Sequence, residues 1–287
     1  LTPTEQRQRL RAHFAGTRCA SPASVYDPLS ARVAASVGYE IGMLAGSVAA
    51  HTTLAAPDLI VLTLTELAAQ IRRIQRAAEL SLIVDADHGY GNALNVMRCV
   101  EELEHAGVSC LSIEDTALPI RYAQPEGRDE LIGSAEMSGK LRAALAARRD
   151  PALMIAARTS GLKVEGLEAT LARVREYAAT GVDCVFVVGV EQLEQVRAVH
   201  EATRLPVIVG SAPAAITHAE CAAAGARILL QGHQPVAAAV RALREVYTHL
   251  YGGGAPADLK SSIASAQEMD ALTGGADYRE RIARFLR

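Results

Sequence analysis

Asp85 and Asp87 stand two residues apart at the end of an apolar run, in Ile83-Val84-Asp85-Ala86-Asp87-His88-Gly89-Tyr90-Gly91-Asn92. On a strand, residues i and i+2 share a face, so the two carboxylates are expected to converge on one spot. At the mouth of a hydrophobic strand they repel each other, and their desolvation is costly unless a cation joins them. An oxygen-only donor set favours a hard ion such as Mg²⁺ over zinc, with Mn²⁺ the other candidate. Gly89 and Gly91 then turn the chain where no side chain would obstruct a ligand. Asp and Gly after a strand are also ordinary turn chemistry. The doubled acid is what argues for a site.

Short β-rich runs alternate with Ala/Leu/Arg-rich helical segments along the whole chain. The pattern predicts strands at Ala23–Asp27, Ile41–Ala45, Leu82–Asp87, Cys110–Glu114, Met154–Arg158, Cys184–Val188, Val207–Gly210 and Ile228–Gln231. Helices are expected at Leu94–Ala106, Glu136–Ala147, Gly166–Thr180, Gln192–Ala202 and Ala215–Ala224. Gly38, Gly107, Gly181 and Gly225 fit the left-handed residue that ends a helix and returns the chain to a strand. About eight β/α units in a little over two hundred residues fit one closed parallel barrel, with a doubly wound sheet as the runner-up. The expected fold is thus a single (α/β)₈ TIM-type domain over 1–287. Gly252-Gly253-Gly254 is read as a hinge, and 252–287 as a C-terminal helical tail too short to fold alone.

Function in such a barrel sits at the carboxyl ends of the strands. Those ends carry Tyr26 and Asp27, Gly46 and Ser47, Asp85 and Asp87, Glu114 and Asp115, Arg158, Gly210 and Ser211, and Gly232 and His233. Arg158 emerges from the run Leu153 to Ala157 and could clamp a substrate carboxylate bidentately. Its other reading is an internal salt bridge to the barrel acids. Ser47 and nearby amides could hold a carboxylate or enolate oxygen, or simply serve a turn. Tyr26 and His233 are further candidate substrate contacts; a satisfied core histidine is the plain alternative for His233.

The 287 residues are half hydrophobic and about a fifth charged, ample for a core. A net charge of −3 shows no basic footprint for nucleic acid. No apolar run reaches the length of a membrane span, and Leu1 to Arg11 is unlike a signal peptide. The chain begins at Leu1 rather than Met, so a few further residues are expected in front of it. Five cysteines without CxxC spacing suggest reduced thiols and a cytoplasmic setting.

The run Asp85 to Asn92 resembles the DADxGYGN signature of the isocitrate lyase and phosphoenolpyruvate mutase superfamily. Gly46-Ser47, Pro57-Asp58, Ile113-Glu114-Asp115 and Ala157-Arg158-Thr159 fall in the order expected of it. The resemblance covers nearly the whole chain. It implies a barrel that binds Mg²⁺ and handles small 2-oxo or 2-hydroxy di-acids. By that resemblance Asp85 ligates the metal directly, while Asp58, Asp87 and Glu114 hold its waters. It also implies a homotetramer, a dimer of dimers that exchanges C-terminal helices.

Lyases of the family carry a Lys-Lys-Cys-Gly-His loop after the Glu-Asp strand end. Here Thr116 to Ser138 contains no cysteine, and the Lys/Asn-rich loop of the phosphonate mutases is absent too. Ser47, Asp85, Arg158 and His233, with Asn95-Val96-Met97-Arg98, look most like the oxaloacetate decarboxylase branch, although Val209-Gly210-Ser211-Ala212 is less polar and bulky than that branch implies. The implied activity is Mg²⁺-dependent decarboxylation of oxaloacetate to pyruvate and CO₂, with Asp58, Arg158 and His233 as its candidate catalytic residues. A C–C lyase or hydrolase would need an acid/base in the 116–138 loop, such as Tyr122 or Glu126. A non-catalytic binding barrel is the reading from a different class.

Overall fold

The computed structural model describes residues 1–125, 127 and 129–287. Eight strands run parallel in chain order: β1 Ala23–Ser24, β2 Ile41–Leu44, β3 Ser81–Asp85, β4 Cys110–Glu114, β5 Met154–Thr159, β6 Cys184–Val187, β7 Val207–Val209 and β8 Ala226–Leu229. The sheet curls until Ala20, just ahead of β1, bridges Ile228 on β8. The amide of Ala20 donates to Arg227 O, and that of Leu229 donates to Ala20 O, both at 3.0 Å. The structure is therefore the TIM-type barrel that the alternation implied.

Helices surround it: α1 Pro3–Ala15, α2 Pro28–Val37, α3 Gly46–Leu54, α4 Leu64–Ala77, α5 Ala93–His105, α6 Ser134–Ala147, the short α7 Gly161–Val164 and α8 Leu167–Ala178. After these come α9 Leu193–Thr203, α10 His218–Ala223, α11 Gln234–Tyr251, α12 Ala266–Thr273 and α13 Gly275–Phe285. Strands buried on both faces read as unbroken apolar runs, and Leu82, Ile83, Val84, Leu111, Ile113, Ile155 and Val185 are fully buried. Gly107, Gly181 and Gly225 have φ of 95°, 93° and 97°, the backbone only glycine adopts freely.

Local chemistry moved several boundaries. The first strand stops at Ser24, short of the expected Asp27, because Asp27 caps α2. Its carboxylate accepts from the Ser30 amide at 2.6 Å, with Pro28 in the first helical turn. The eighth strand starts two residues earlier than expected, directly after Gly225. Helix α4 was missing from the sequence reading. Its signal was present in the Thr63/Glu66 capping box and the apolar spacing Leu67, Ile71, Ile74.

Helix α1 closes the amino-terminal end of the barrel with arginines. Arg7 is buried and donates to Val108 O, Glu104 O and Asp150 at 2.9, 2.6 and 2.6 Å. Arg11 donates to Ala152 O, Leu153 O and Asp183. Carbonyls at the strand starts thus find donors without water.

The tail differs from the rest. None of the 18 residues of α11 is buried, although Val236, Val240, Leu243, Tyr247 and Leu250 form one apolar stripe at helical spacing. Beyond the glycines, α12 rests on α2 of the same chain, where Arg32 Nη1 donates to Leu272 O at 2.7 Å. The segment after the Gly252 hinge is uncovered as well: neither α12 nor α13 holds a buried residue, and Tyr278, Ile282 and Phe285 are exposed. Among the described residues no helix is long and apolar enough to cross a membrane.

Candidate active site

Three neighbouring strands deliver the charged centre. Glu114 on β4 lies in register with Arg158 on β5, and Asp85 on β3 with Ser112 on β4. Arg158 Nη1 donates to Asp85 Oδ2, and Arg158 Nη2 stands 3.5 Å from Glu114 Oε2. Its guanidinium carbon lies 5.2 Å from the centre of the Phe186 ring, within cation–π range. Of the two roles open to Arg158, the structure therefore places it in the internal ion pair. Its Nε is buried without a hydrogen-bond acceptor. Thr116 Oγ1 donates to Glu114 Oε2 at 2.9 Å, and Ser112 Oγ lies 3.5 Å from Asp85 Oδ1.

Asp87 reaches the same place by a route the strand argument did not foresee. β3 ends at Asp85, and Asp87 has φ 47°, a left-handed backbone uncommon outside glycine. Its amide donates to Asp85 Oδ1 at 3.1 Å, and its carbonyl accepts from Glu114 N at 2.8 Å. The two acids converge through this turn and not through strand periodicity. Gly46, in the first turn of α3, makes room for the result: a Cβ there would lie 2.4 Å from Asp87 Oδ1.

Electrostatics follow from this crowding. Burial, then Asp85, Glu114 and Asp58, hold the Asp87 carboxyl well above its ordinary range. Burial also raises Glu114 against the opposing pull of Arg158, and burial with Asp85 raises Asp58. Four carboxylates share one guanidinium, and the imbalance is what a divalent cation relieves. The donors are all oxygens, as a hard ion requires. Among the described residues no three His, Cys, Asp or Glu side chains stand close enough to share an ion directly. An ion here would touch few carboxylates and reach the rest through water.

A cavity of about 370 Å³ opens above the acids, lined by Asp58, Asp85, Asp87, Glu114 and Arg158. Apolar Ile60, Leu118, Ile120 and Val188 wall it, and part of the 116–133 loop covers it. That loop is anchored where Thr116 bridges Leu131 and Ala117 N donates to Glu130 O at 2.7 Å.

Of the other candidates among the described residues, none lines this cavity. His233 caps α11, with Nδ1 3.2 Å from Ser24 Oγ. Burial lowers its pKa while Asp85 and Asp58 oppose the fall. Ser47 is half-buried in the first turn of α3, beside Gly46 and so near Asp87. Tyr26 does not join the group and lines a separate cleft with Leu29, Val33 and Val37. Asp115 also leaves it, because neighbours on a strand point to opposite sides. It is fully buried, and Tyr177 OH donates to Asp115 Oδ2 at 2.7 Å. Tyr122 is fully exposed, and Glu126 lies outside the described residues. The cysteines are on α5, β4, β6 and α10 or precede β1, and none lines the cavity.

Sequence reading missed Ser112, Thr116 and Lys163. Ser112 precedes Glu114 by two residues, so the strand period could have found it. Lys163, five residues past Arg158 on α7, had no such signal.

Acids and one guanidinium at the carboxyl ends of a closed parallel barrel, under a covered cavity, define a TIM-type barrel enzyme with a site for a small anion. Comparisons with known proteins narrow the class. The pattern of the phosphoenolpyruvate phosphomutase family matches residues 15–251, and the chain belongs to that family. An oxaloacetate decarboxylase of Rhodopseudomonas palustris (strain BisA53) is 47% identical, over 98% of this chain and 96% of its own. A phosphoenolpyruvate phosphomutase from Streptomyces platensis subsp. rosaceus has a TM-score of 0.86 at 31% identity, covering 98% of this chain and 99% of its own. A phosphonopyruvate hydrolase in complex with oxalate and Mg²⁺ also has a TM-score of 0.86, at 27% identity over 100% of both chains.

Proposed function

We propose that this protein decarboxylates oxaloacetate to pyruvate and CO₂ with Mg²⁺, or Mn²⁺, at the acid-floored cavity. The observation that carries the reading is the cluster of Asp85, Asp87, Glu114 and Asp58 around Arg158, in a chain 47% identical to an oxaloacetate decarboxylase. The oxalate and Mg²⁺ of the similar hydrolase support it, oxalate being the size and charge of an enolpyruvate headgroup. Asp85 would hold the ion directly, and Asp58, Asp87 and Glu114 would hold it through water. The bound ion would supply Lewis-acid stabilisation of the negative charge that develops as the C3–C4 bond breaks.

The remaining work falls to the chain. Arg158 keeps the acids in place, and its guanidinium anchors a substrate carboxylate. Ser47 and the adjacent amides hydrogen-bond the enolate oxygen. His233 contacts the substrate near the departing group. Breaking C3–C4 leaves its electron pair on the substrate, so no cysteine base is needed. C3 then takes a proton from water. The lyase alternative has less support, because Tyr122 points into solvent.

The test is pyruvate release from oxaloacetate with and without EDTA, corrected for the reaction of free metal. Turnover that EDTA abolishes and Mg²⁺ restores is expected. Turnover indifferent to EDTA would remove the metal from the reading.

For assembly and setting we propose a cytoplasmic homotetramer in which α11 and the tail behind it cross to a second copy, so that α12 exchanges the α2 of its own chain for its partner's. The apolar cleft of Leu29, Val33 and Val37 is the surface we assign to the stripe of the second copy. Sedimentation should give a tetramer for the wild type and smaller species for Leu243→Glu with Tyr247→Glu. A wild-type monomer with full activity counts against the exchange.

A further inference from the structure

Among the described residues that line the cavity, two carry positive charge, Arg158 and Lys163. The charge of Arg158 is engaged by Asp85 and Glu114. Lys163 is placed differently. Its Nζ donates to Asp129 Oδ2 at 3.2 Å, and both side chains are open to solvent at the covering loop. Its backbone is firmly seated. The Lys163 amide donates to Ser160 O at 3.0 Å, and a Cβ on Gly189 would stand 3.1 Å from Lys163 Cβ. A Cβ on Gly161 would meet Thr170 Oγ1 at 2.7 Å, so α7 is held on a second side. A fixed base with a free four-carbon stem can exchange partners without moving the fold.

Resting on the decarboxylase reading, we propose that Lys163 recognises the distal carboxylate of the 2-oxo di-acid and selects di-acids over mono-acids. Asp129 occupies the ammonium in this structure, and the substrate takes it over. A substrate whose 2-oxo-acid end lies at the acid floor has to direct its other carboxylate away from four carboxylates. The walls in between, Ile60, Leu118, Ile120 and Val188, offer that charge no partner. Lys163 is the cation on the solvent side. During the reaction the distal carboxylate becomes neutral CO₂, so its pairing is strongest in the ground state. Lys163 therefore sets KM and selectivity and does not drive the bond-breaking step.

Opposite signs distinguish this role from a latch that merely holds the loop shut. Lys163→Met should raise KM for oxaloacetate and Kd for malate about fivefold, the upper end for a partly exposed ion pair, with kcat not lowered. Asp129→Asn removes the rival anion and should lower both constants. Oxalate has no distal carboxylate, and its Kd by calorimetry in Mg²⁺ should stay the same in both variants. If both substitutions moved KM and malate Kd in the same direction, or shifted oxalate equally, Lys163 and Asp129 would be a latch and the proposal would fall. Malate binding that depends on Lys163 in a protein inert towards oxaloacetate would sink the decarboxylase reading and support this one. Oxaloacetate turnover with KM untouched by Lys163→Met would do the reverse.

Discussion

Asp85→Asn is expected to lower oxaloacetate turnover by about a thousandfold or more, the several kcal/mol that a Lewis acid supplies. The substitution keeps the size of the side chain and an oxygen for Arg158, so it removes charge without opening a hole. Arg158 retains Glu114 at 3.5 Å, and the barrel should remain folded. Calorimetry should show Mg²⁺ binding lost alongside activity. Full turnover by Asp85→Asn in EDTA would overturn both the metal assignment and the choice of Asp85 as its ligand.

The second large effect is on stability. Arg158→Met should destabilise the metal-free protein by about 3–5 kcal/mol, because it leaves the buried Asp85 and Glu114 carboxylates without their cation. Urea unfolding in EDTA measures this directly. Saturating Mg²⁺ should restore part of the loss, because an ion that binds only the folded state stabilises it by mass action. Equal stability of variant and wild type in EDTA would show that the guanidinium is not the internal counter-ion. The milder Arg158→Lys keeps the charge and loses the fork, so its main effect should be a higher KM.

Much of this was legible because the signals were local. Apolar runs such as Leu82 to Val84 and Leu153 to Ala157 end in charge, which a buried strand does only where its end meets a site or a partner. What escaped needed the third dimension. Nothing in the Asp85 to Asn92 run announces that Asp87 takes a positive φ, and the correct convergence was expected for the wrong geometric reason. Tyr26 and Asp27 looked like strand-end residues until Pro28 and Ser30 claimed them for a helix cap. Asp115 sits beside Glu114 in sequence yet faces Tyr177 in the helical shell, so adjacency alone assigned it wrongly to the acids. Lys163 reaches the cavity only because α7 folds back over the end of β5.

His233 stands at the head of α11, the helix that its own barrel leaves uncovered. On the proposed exchange, the surface that seats that helix also sets the angle of the imidazole beside Ser24. The placing of His233 then depends on protein concentration by mass action: dilution would shift it before it unfolded a single strand.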